Sequence, residues 1–308
     1  MSSVTPGKLK STFKGLSKKR SFGLGDRAFS GSTFVFAMIF LALLVGLIVL
    51  LVFNSLPSIN KFGFSFISGR TWDPVKNIYG ALPVIYGTLV SSLIGLIIAV
   101  PISIGAAIFL VELSPKWLSG PASFLIEMLA AIPSVIIGLW GIWVLVPLMQ
   151  SSLSRSGQGF ITAGLILAIM IIPIITAISR EAIKAVPQNQ REAMLALGAT
   201  RWEMIWNCVL PFCRSGLVGA SILGLGRALG ETMAVTMVIG NSFNITANLL
   251  ATGTTIASKI ASSFGEASGL ELSSLIELAL ILFIITLLVN VIARLLVWRF
   301  SSVKAARE

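Results

Sequence analysis

The chain of 308 residues contains no histidine and only two cysteines, Cys208 and Cys213. Without histidine, a histidine general base, a Ser-His-Asp triad and a histidine metal site are excluded. Two cysteines alone do not complete a zinc site. The sequence also lacks a G-x-x-x-x-G-K-[ST] loop, so it has no such cradle for nucleotide phosphates. We therefore predict that this chain is not an enzyme and holds no metal or cofactor of its own.

Charged residues are also scarce: they make up 11% of the chain, whereas hydrophobic residues make up 56%. Soluble domains carry about 25% charged residues. Several apolar runs reach the roughly 20 residues that a helix needs to cross a bilayer, and the alternation of a membrane barrel is not seen. The sequence predicts an all-α polytopic membrane protein with six transmembrane helices, at about Thr33–Asn54, Ala81–Val111, Pro121–Met149, Phe160–Ser179, Gly216–Gly240 and Ser273–Trp298.

The second predicted span is longer than a bilayer requires, and Pro101 lies inside it. Because proline removes a helix hydrogen bond, we expect a kink or a break near the inner surface. The sequence leaves open whether this segment is one helix or two.

Lysine and arginine residues orient the six spans. Seventeen of them lie on the side of both termini, and five lie on the other side. Since positive residues collect on the cytoplasmic side, we predict that both termini are cytoplasmic. The net charge of +11 reflects this asymmetry. A basic tail near anionic lipid headgroups explains the charge better than a nucleic-acid partner does, because no soluble domain carries it.

The hydrophilic stretch between spans four and five predicts a hairpin of two short helices. Pro187 suits a first helical turn, and Gly198 is typical of the residue after a helix end. Thr200 and Glu203 have the spacing of a capping box, and we expect Pro211 to end the second helix. Four apolar residues share one face of that helix: Trp202, Ile205, Trp206 and Val209. An interfacial helix pair that lies on the lipid is one interpretation.

The same segment resembles the EAA loop of ABC importer permeases, E-A-A-x3-G-x9-I-x-L-P. The matching residues are Glu192, Ala193, Gly198, Leu210 and Pro211, whereas Met194 and Cys208 replace the second Ala and the Ile. The resemblance implies that this hairpin docks into a groove on a separate ATPase subunit. ATP and magnesium would then bind to that partner.

The membrane segments indicate which family of ABC importer permeases the chain resembles. Three stretches closely resemble the PstC family of phosphate ABC importer permeases: IYGALPVIYGTLVSSLIGLIIAVPISIGAAIFLVEL (78–113), EMLAAIPSVIIGLWG (127–141) and GLGRALGETMAV (224–235). The similarity implies a type I ABC importer permease of MetI-like fold in the plasma (inner) membrane of a prokaryote. It also implies three partners: a PstA-like second permease chain, a PstB-like ATPase dimer and a PstS-like external phosphate-binding protein.

On this basis we divide the chain into five parts. They are a basic cytoplasmic tail at 1–32, the first transmembrane helix at 33–54, an external segment at 55–80, a permease core at 81–300 with the coupling hairpin at 186–215, and a cytoplasmic C-terminal tail at 301–308.

Arg227 and Glu231 stand four residues apart in the apolar fifth span. An arginine near the midplane costs about 2.5–3.5 kcal/mol on insertion scales, and we expect Glu231 at i+4 to pair with Arg227 along one helix face and to offset part of that cost. Two roles stay open: a buried latch that fixes helix packing, or a site where the guanidinium meets phosphate and Glu231 competes for it. Weaker path candidates are hydroxyl residues that packing hydrogen bonds explain equally well: Thr88, Ser91, Ser134 and Thr232.

Three other functions stay open. An ABC permease for a different oxyanion would carry the same motifs. An ion-coupled secondary transporter or channel could use an intramembrane Arg–Glu pair, although the internal repeats common in secondary transporters are not detected. A structural membrane subunit without a transport path is the third. Co-purification of an ATPase separates the ABC permease from the last two.

Overall fold

The computed structural model describes residues 24–152 and 156–305, with side chains for residues 28–151 and 156–295. Most of the predicted basic tail, Arg155 and residues 306–308 lie outside the described residues. Chain contacts define one unit up to Leu50 and a second unit from Leu51 onward.

The described residues are mostly helical, and the only pairing of extended chain among them is an isolated bridge between Asp73 and Ile78. The α-helices are α1 Leu24–Phe62, α2 Ser65–Ser68, α3 Leu82–Ile108, α4 Lys116–Ala130, α5 Ser134–Trp140, α6 Val146–Ser152, α7 Phe160–Lys184, α8 Gln188–Ala196, α9 Arg201–Met204, α10 Leu210–Gly230, α11 Met233–Ile239, α12 Ile256–Ser263 and α13 Gly269–Ala305. Three π-helical turns extend or join these helices: Phe109–Leu113 after α3, Gly141–Leu145 between α5 and α6, and Ile205–Val209 between α9 and α10.

Six helical segments in the described residues are long and apolar enough to cross a membrane, which confirms the predicted number. They are Ala28–Phe62, Leu82–Leu113, Ser134–Ser151, Phe160–Lys184, Arg201–Gly230 and Gly269–Leu295. The second is one helix, because α3 passes through Pro101 without the break that proline suggested. Packing against a neighbouring helix allows a transmembrane helix to tolerate proline. Here the Ser103 hydroxyl of α3 donates to the Ile172 carbonyl of α7 at 3.2 Å.

Two predicted spans are wrong in the same way, because each contains a break. The predicted Pro121–Met149 span is two helices, α4 and the helical run that begins at Ser134. Pro133 explains this break, since the residue before a proline avoids the helical conformation. The predicted Gly216–Gly240 span is α10 followed by α11, and no proline marks that break.

Helices α3 and α7 form the centre of the second unit. The largest fully buried side chains of α7 are Phe160, Ile166, Leu167, Ile171, Ile175 and Ile183. Small residues allow transmembrane backbones to approach closely. A Cβ atom added to Gly164 of α7 would lie 2.4 Å from Ile94 Cγ2 of α3, so only glycine fits at this contact.

Aromatic rings enclose a lysine where the segment before α3 meets the loop after α11. Trp72 stacks on Phe243 with ring centroids 6.1 Å apart, and it contacts Tyr79 edge-on at 4.9 Å. The Lys259 ammonium lies 5.1 Å from the Trp72 ring centroid. Burial lowers the pKa of Lys259, and the nearby Glu271 carboxylate opposes this shift. The cluster ties the two connecting segments to each other.

Candidate functional site

The fifth span is interrupted directly after Gly230. Helix α10 ends there, Glu231 has extended backbone angles (φ −69°, ψ 128°), and α11 begins at Met233. The Glu231 carboxylate accepts a hydrogen bond from the backbone N–H of Ala234 at 3.4 Å. This bond satisfies one of the free amides in the first turn of α11. Glu231 therefore belongs to the start of α11 rather than to a face of α10.

This break overturns the predicted pairing of Arg227 with Glu231. Because the backbone is extended at Glu231, a spacing of four residues no longer places the two side chains one above the other. No ion pair joins them in the part of the chain that the structure describes. Arg227 is exposed on this chain, and Glu231 is partly buried. The latch hypothesis therefore loses the contact on which it depended.

The packing of α10 against α7 fixes the depth of Arg227. The two helices run antiparallel, since Gly216 faces Ala182 and Gly224 faces Ile175. Arg227 follows Gly224 by about one helical turn and so comes level with the middle of the 25-residue α7. Because α7 is long and apolar enough to span a membrane, this level is consistent with the mid-membrane depth expected from the sequence.

The second break lies beside the first. Helices α5 and α11 run parallel, because their contacts advance together along both chains: Gly138 meets Ala234, and Gly141 meets Val238. The first residue of α5 is Ser134, and Thr232 directly precedes α11. Ser134 and Thr232 therefore lie at the same end of this helix pair, where Glu231 also lies. The Thr232 hydroxyl donates to the Gly230 carbonyl at 3.2 Å.

The other two predicted path residues lie away from these breaks. Thr88 and Ser91 are buried within this chain. The Thr88 hydroxyl donates to the Val84 carbonyl at 2.7 Å and accepts from the Ile256 N–H at 2.9 Å. The Ser91 hydroxyl donates to the Gly87 carbonyl at 2.7 Å. In this structure the Thr88 hydroxyl thus links α3 to the start of α12, whereas the Ser91 hydroxyl bonds within α3.

An apolar cavity of about 340 Å³ adjoins the break between α4 and α5. Its lining residues are Leu129, Ile132, Ile136, Ile137, Trp140 and Ile169. None of these side chains is charged, and a phosphate ion would lose its hydration here without gaining a charged partner. The cavity is therefore no anion site.

The predicted hairpin is confirmed at its first helix and its turn. Helix α8 ends at Ala196, and Gly198 has φ +86°. The N–H of Gly198 donates to the Leu195 carbonyl at 3.0 Å, and the N–H of Ala199 donates to the Met194 carbonyl at 3.1 Å. These two bonds form a Schellman motif, in which glycine supplies the left-handed residue.

The predicted capping box is also present. The Thr200 hydroxyl accepts from the N–H of Glu203 at 3.3 Å, and the Glu203 carboxylate accepts from the N–H of Thr200 at 2.8 Å. Two amides at the start of α9 are thus satisfied reciprocally. This box fixes where the second helix of the hairpin begins.

The second helix does not end at Pro211. The π-helical turn after α9 leads directly into α10, and Pro211 occupies the first turn of α10. Proline is tolerated in a first turn because the amide there has no intrahelical partner, and the wider π-helical turn provides such a start within a longer helix. The second hairpin helix and the fifth span are therefore one segment, Arg201–Gly230.

The hairpin has an exposed side and a packed side. Of the residues that match the EAA loop, Glu192, Ala193 and Gly198 are exposed, while Leu210 and Pro211 are partly buried. The predicted apolar stripe divides between the two sides. Its buried members are Ile205 and Val209, and its exposed members are Trp202 and Trp206, whose ring centroids lie 5.6 Å apart.

An ion pair that the sequence does not indicate joins the hairpin to α3. Arg191 of α8 contacts Glu112, in the π-helical turn after α3, with an N–O distance of 3.0 Å. The two side chains are only 12% and 8% exposed. Arg191 also donates to the Val186 carbonyl at 2.8 Å and to the Ile183 carbonyl at 2.7 Å. The only signal in the sequence is Glu112, a lone charge at the end of the apolar second span, because Arg191 lies among other polar residues.

Comparison with known proteins gives the family. The family profile "Binding-protein-dependent transport system inner membrane component" matches residues 99–302. The phosphate transport system permease protein PstC of Pasteurella multocida is 49% identical over 294 residues, which cover 89% of this chain and 92% of that protein. The PstC protein of Haemophilus influenzae is 46% identical, covering 91% of this chain and 95% of its own. The chain belongs to the PstC family.

The fold of this PstC-family chain is also seen in a solved structure. This structure is the MetNI methionine ABC transporter in an inward-facing conformation. One of its chains matches this chain with a TM-score of 0.53 and 20% sequence identity. The likeness covers 72% of this chain and 94% of that chain. It confirms the predicted type I, MetI-like permease fold.

Proposed function

We propose that this chain is the transmembrane permease subunit of an ATP-driven phosphate importer in the inner membrane of a prokaryote. The observation that carries this proposal is the 49% identity, over nearly the whole chain, to a protein named for phosphate transport. The matched transport family and the six apolar helices support the same function. The chain is a transport subunit without catalytic activity, and ATP and magnesium bind to its ATPase partner.

The exposure of Arg227 supports a translocation path on this face of the chain. An arginine exposed to hydrocarbon near the midplane would cost about 2.5–3.5 kcal/mol. Arg227 has no ion-pair partner among the described residues, so its surroundings in the membrane are supplied from outside this chain. We place the PstA-like second permease chain on this face, with the phosphate path between the two chains.

The two helix breaks provide the remaining polar groups of the path. Ser134 and Thr232 lie at the same end of the α5–α11 pair, and Arg227 lies about one turn before the break after Gly230. A guanidinium offers a fork of donors that suits a tetrahedral oxyanion. Glu231 places a negative charge next to this site, which keeps phosphate binding weak enough for release.

The exposed side of the hairpin supports docking to an ATPase. Leu197 is 86% exposed at the turn, next to the exposed Glu192 and Ala193. A short helix that presents such a face is a common element for binding in a groove. We therefore propose a PstB-like ATPase dimer at this hairpin, a PstS-like phosphate-binding protein at the opposite end, and cytoplasmic termini.

The test is uptake of radiolabelled phosphate by cells that carry the whole assembly, with Arg227 intact or changed to Gln. We expect uptake to fall at least about ten-fold in Arg227→Gln, because phosphate loses its charge-assisted hydrogen bonds to the guanidinium. Co-purification of the ATPase is measured in parallel, so that lost assembly is distinguished from lost transport. Uptake that persists at the unaltered level would remove Arg227 from the path.

A second variant tests the charge next to the path. Glu231→Gln keeps an oxygen that can accept from the Ala234 N–H, so the start of α11 stays capped. We expect more phosphate to be retained in the purified assembly and its release to slow. Competition by sulfate or arsenate in the same uptake assay identifies the oxyanion, and preferred uptake of another anion would refute the assignment to phosphate.

A further inference from the structure

We infer that the Arg191–Glu112 ion pair is the joint that makes the docking hairpin move together with α3 and α7. This inference rests on the proposed function, because it concerns how motion of an ATPase reaches the membrane helices. Arg191 and Glu112 are positioning residues: neither lies near the helix breaks of the proposed path.

The contacts of Arg191 show why one side chain can join three elements. Its guanidinium holds Glu112 at the end of the α3 segment through two nitrogens, at 3.0 and 3.2 Å. The same group donates to the Ile183 carbonyl near the end of α7 and to the Val186 carbonyl just beyond it. Planar donors in fixed directions give such contacts a defined geometry. Arg191 thus fixes α8 to the ends of both central helices.

An apolar cluster lies beside this ion pair and completes the joint. Its buried members come from the ends of α3 and α7 and from the helix that follows the turn: Ala107, Ile183, Val186, Met204, Ile205, Val209, Cys213 and Leu217. Met194 of α8 packs against it. Close-packed side chains transmit displacement rather than absorb it. The exposed side of α8 is thus backed by packed side chains and not by a flexible loop.

Burial of the pair determines what its loss should do. Surface ion pairs contribute little, but removing one member of a buried pair leaves an uncompensated charge. Glu112→Gln removes the negative charge that balances Arg191 and leaves a neutral amide oxygen in its place, so the bond from α8 to α3 is weakened while the exposed docking side stays unchanged. The ATPase should still bind to the hairpin and hydrolyse ATP. However, a displacement of α8 by the ATPase should move α3 less than it does in the unaltered protein.

The experiment measures coupling in the whole assembly reconstituted in proteoliposomes. We expect the number of phosphate ions transported per ATP hydrolysed to fall about ten-fold in Glu112→Gln, with ATPase co-purification retained. Glu112→Asp keeps the charge and should recover most of the coupling. The matched control is Glu181→Gln, at the same end of α7 but 60% exposed, which should leave coupling unchanged.

A distance measurement tests the joint without reference to the substrate. Spin labels at Asn189 of α8 and Lys116 of α4, in a background with Cys208→Ser and Cys213→Ala, report how firmly the hairpin is held. Lys116 reports on α3, because the Ser119 hydroxyl of α4 donates to the Leu110 carbonyl at 2.8 Å. We expect a narrow distance distribution that Glu112→Gln broadens and Glu181→Gln does not.

Each outcome has one meaning. An unchanged transport-to-hydrolysis ratio or an unbroadened distance distribution in Glu112→Gln overturns the inference. Loss of ATPase binding together with uptake would show a role in assembly alone and would also overturn it. If the unaltered assembly moves no phosphate, the proposed function fails, whereas the spin-label result still decides the joint.

Discussion

The turn of the docking hairpin offers a clean test, because one residue there has a backbone conformation that other residues resist. Gly198 has φ +86°, and a Cβ atom added to it would meet nothing within 4 Å. Substitution by alanine therefore introduces no steric clash. The only cost is that of holding an L-residue in the left-handed region, about 1–2 kcal/mol.

That cost sets the size of the expected effect. The free hairpin of Gly198→Ala relaxes to another turn, and docking must restore the original one. A difference of 1–2 kcal/mol corresponds to a factor of about 5–30 in an equilibrium. We expect the dissociation constant of the ATPase for the permease in lipid nanodiscs to rise by about that factor. Gly198→Asn should lose less, because asparagine tolerates the left-handed conformation.

Comparison of the dissociation constants of Gly198→Ala and Gly198→Asn shows whether backbone conformation controls docking. If Gly198→Asn weakens binding as much as Gly198→Ala or more, side-chain size and not backbone conformation controls docking. If neither variant changes the dissociation constant, the turn is not part of the docking surface.

Three further predictions concern stability, and each is measured as a thermal unfolding temperature in detergent. Gly138→Ala should destabilise the chain by about 1–3 kcal/mol, because its Cβ would lie 2.8 Å from a backbone atom of α11; Gly219→Ala, with open space, should not. Thr200→Ala should cost about 1 kcal/mol by removing the helix cap, and Thr200→Ser should restore it. Burial lowers the pKa of Lys259 in the folded state, so the unfolded chain binds more protons and stability should rise as the pH approaches the ordinary pKa of lysine from below. Lys259→Met should flatten this rise, whereas Lys76→Met, at an exposed lysine, should not.

Each of these three stability predictions can be contradicted independently of the other two. A Gly138→Ala protein as stable as the unaltered one would show that α5 and α11 separate at little cost. A stable Thr200→Ala protein would show that the capping box is dispensable. A pH dependence that survives Lys259→Met would belong to another titrating group.

Local signals in the sequence predicted the hairpin well, because its conformation depends on neighbours in the chain. Gly198 and the Thr200–Glu203 box each act over three or four residues. The break before Ser134 also has a local cause in Pro133. These features need no knowledge of which helices pack together.

Features that depend on packing were missed or wrong. The break at Glu231 carries no proline, so the predicted Arg227–Glu231 pairing assumed a helix that the chain does not form. The pair between Glu112 and Arg191 joins residues 79 positions apart, and periodicity says nothing about such contacts. Pro211 was misread as a helix end, because the π-helical turn that accommodates it has no clear sequence signature.

The uninterrupted helix from Arg201 to Gly230 has a mechanical consequence. Its 30 residues span about 45 Å, and Arg227 lies close to the far end. If the helix pivots as a rigid rod near Arg201, a tilt of about 5° sweeps Arg227 through about 3 Å over the roughly 39 Å between them. That distance is comparable to a hydrogen-bond length. A small rocking at the cytoplasmic end is therefore sufficient to make or break the contact of a guanidinium with an anion.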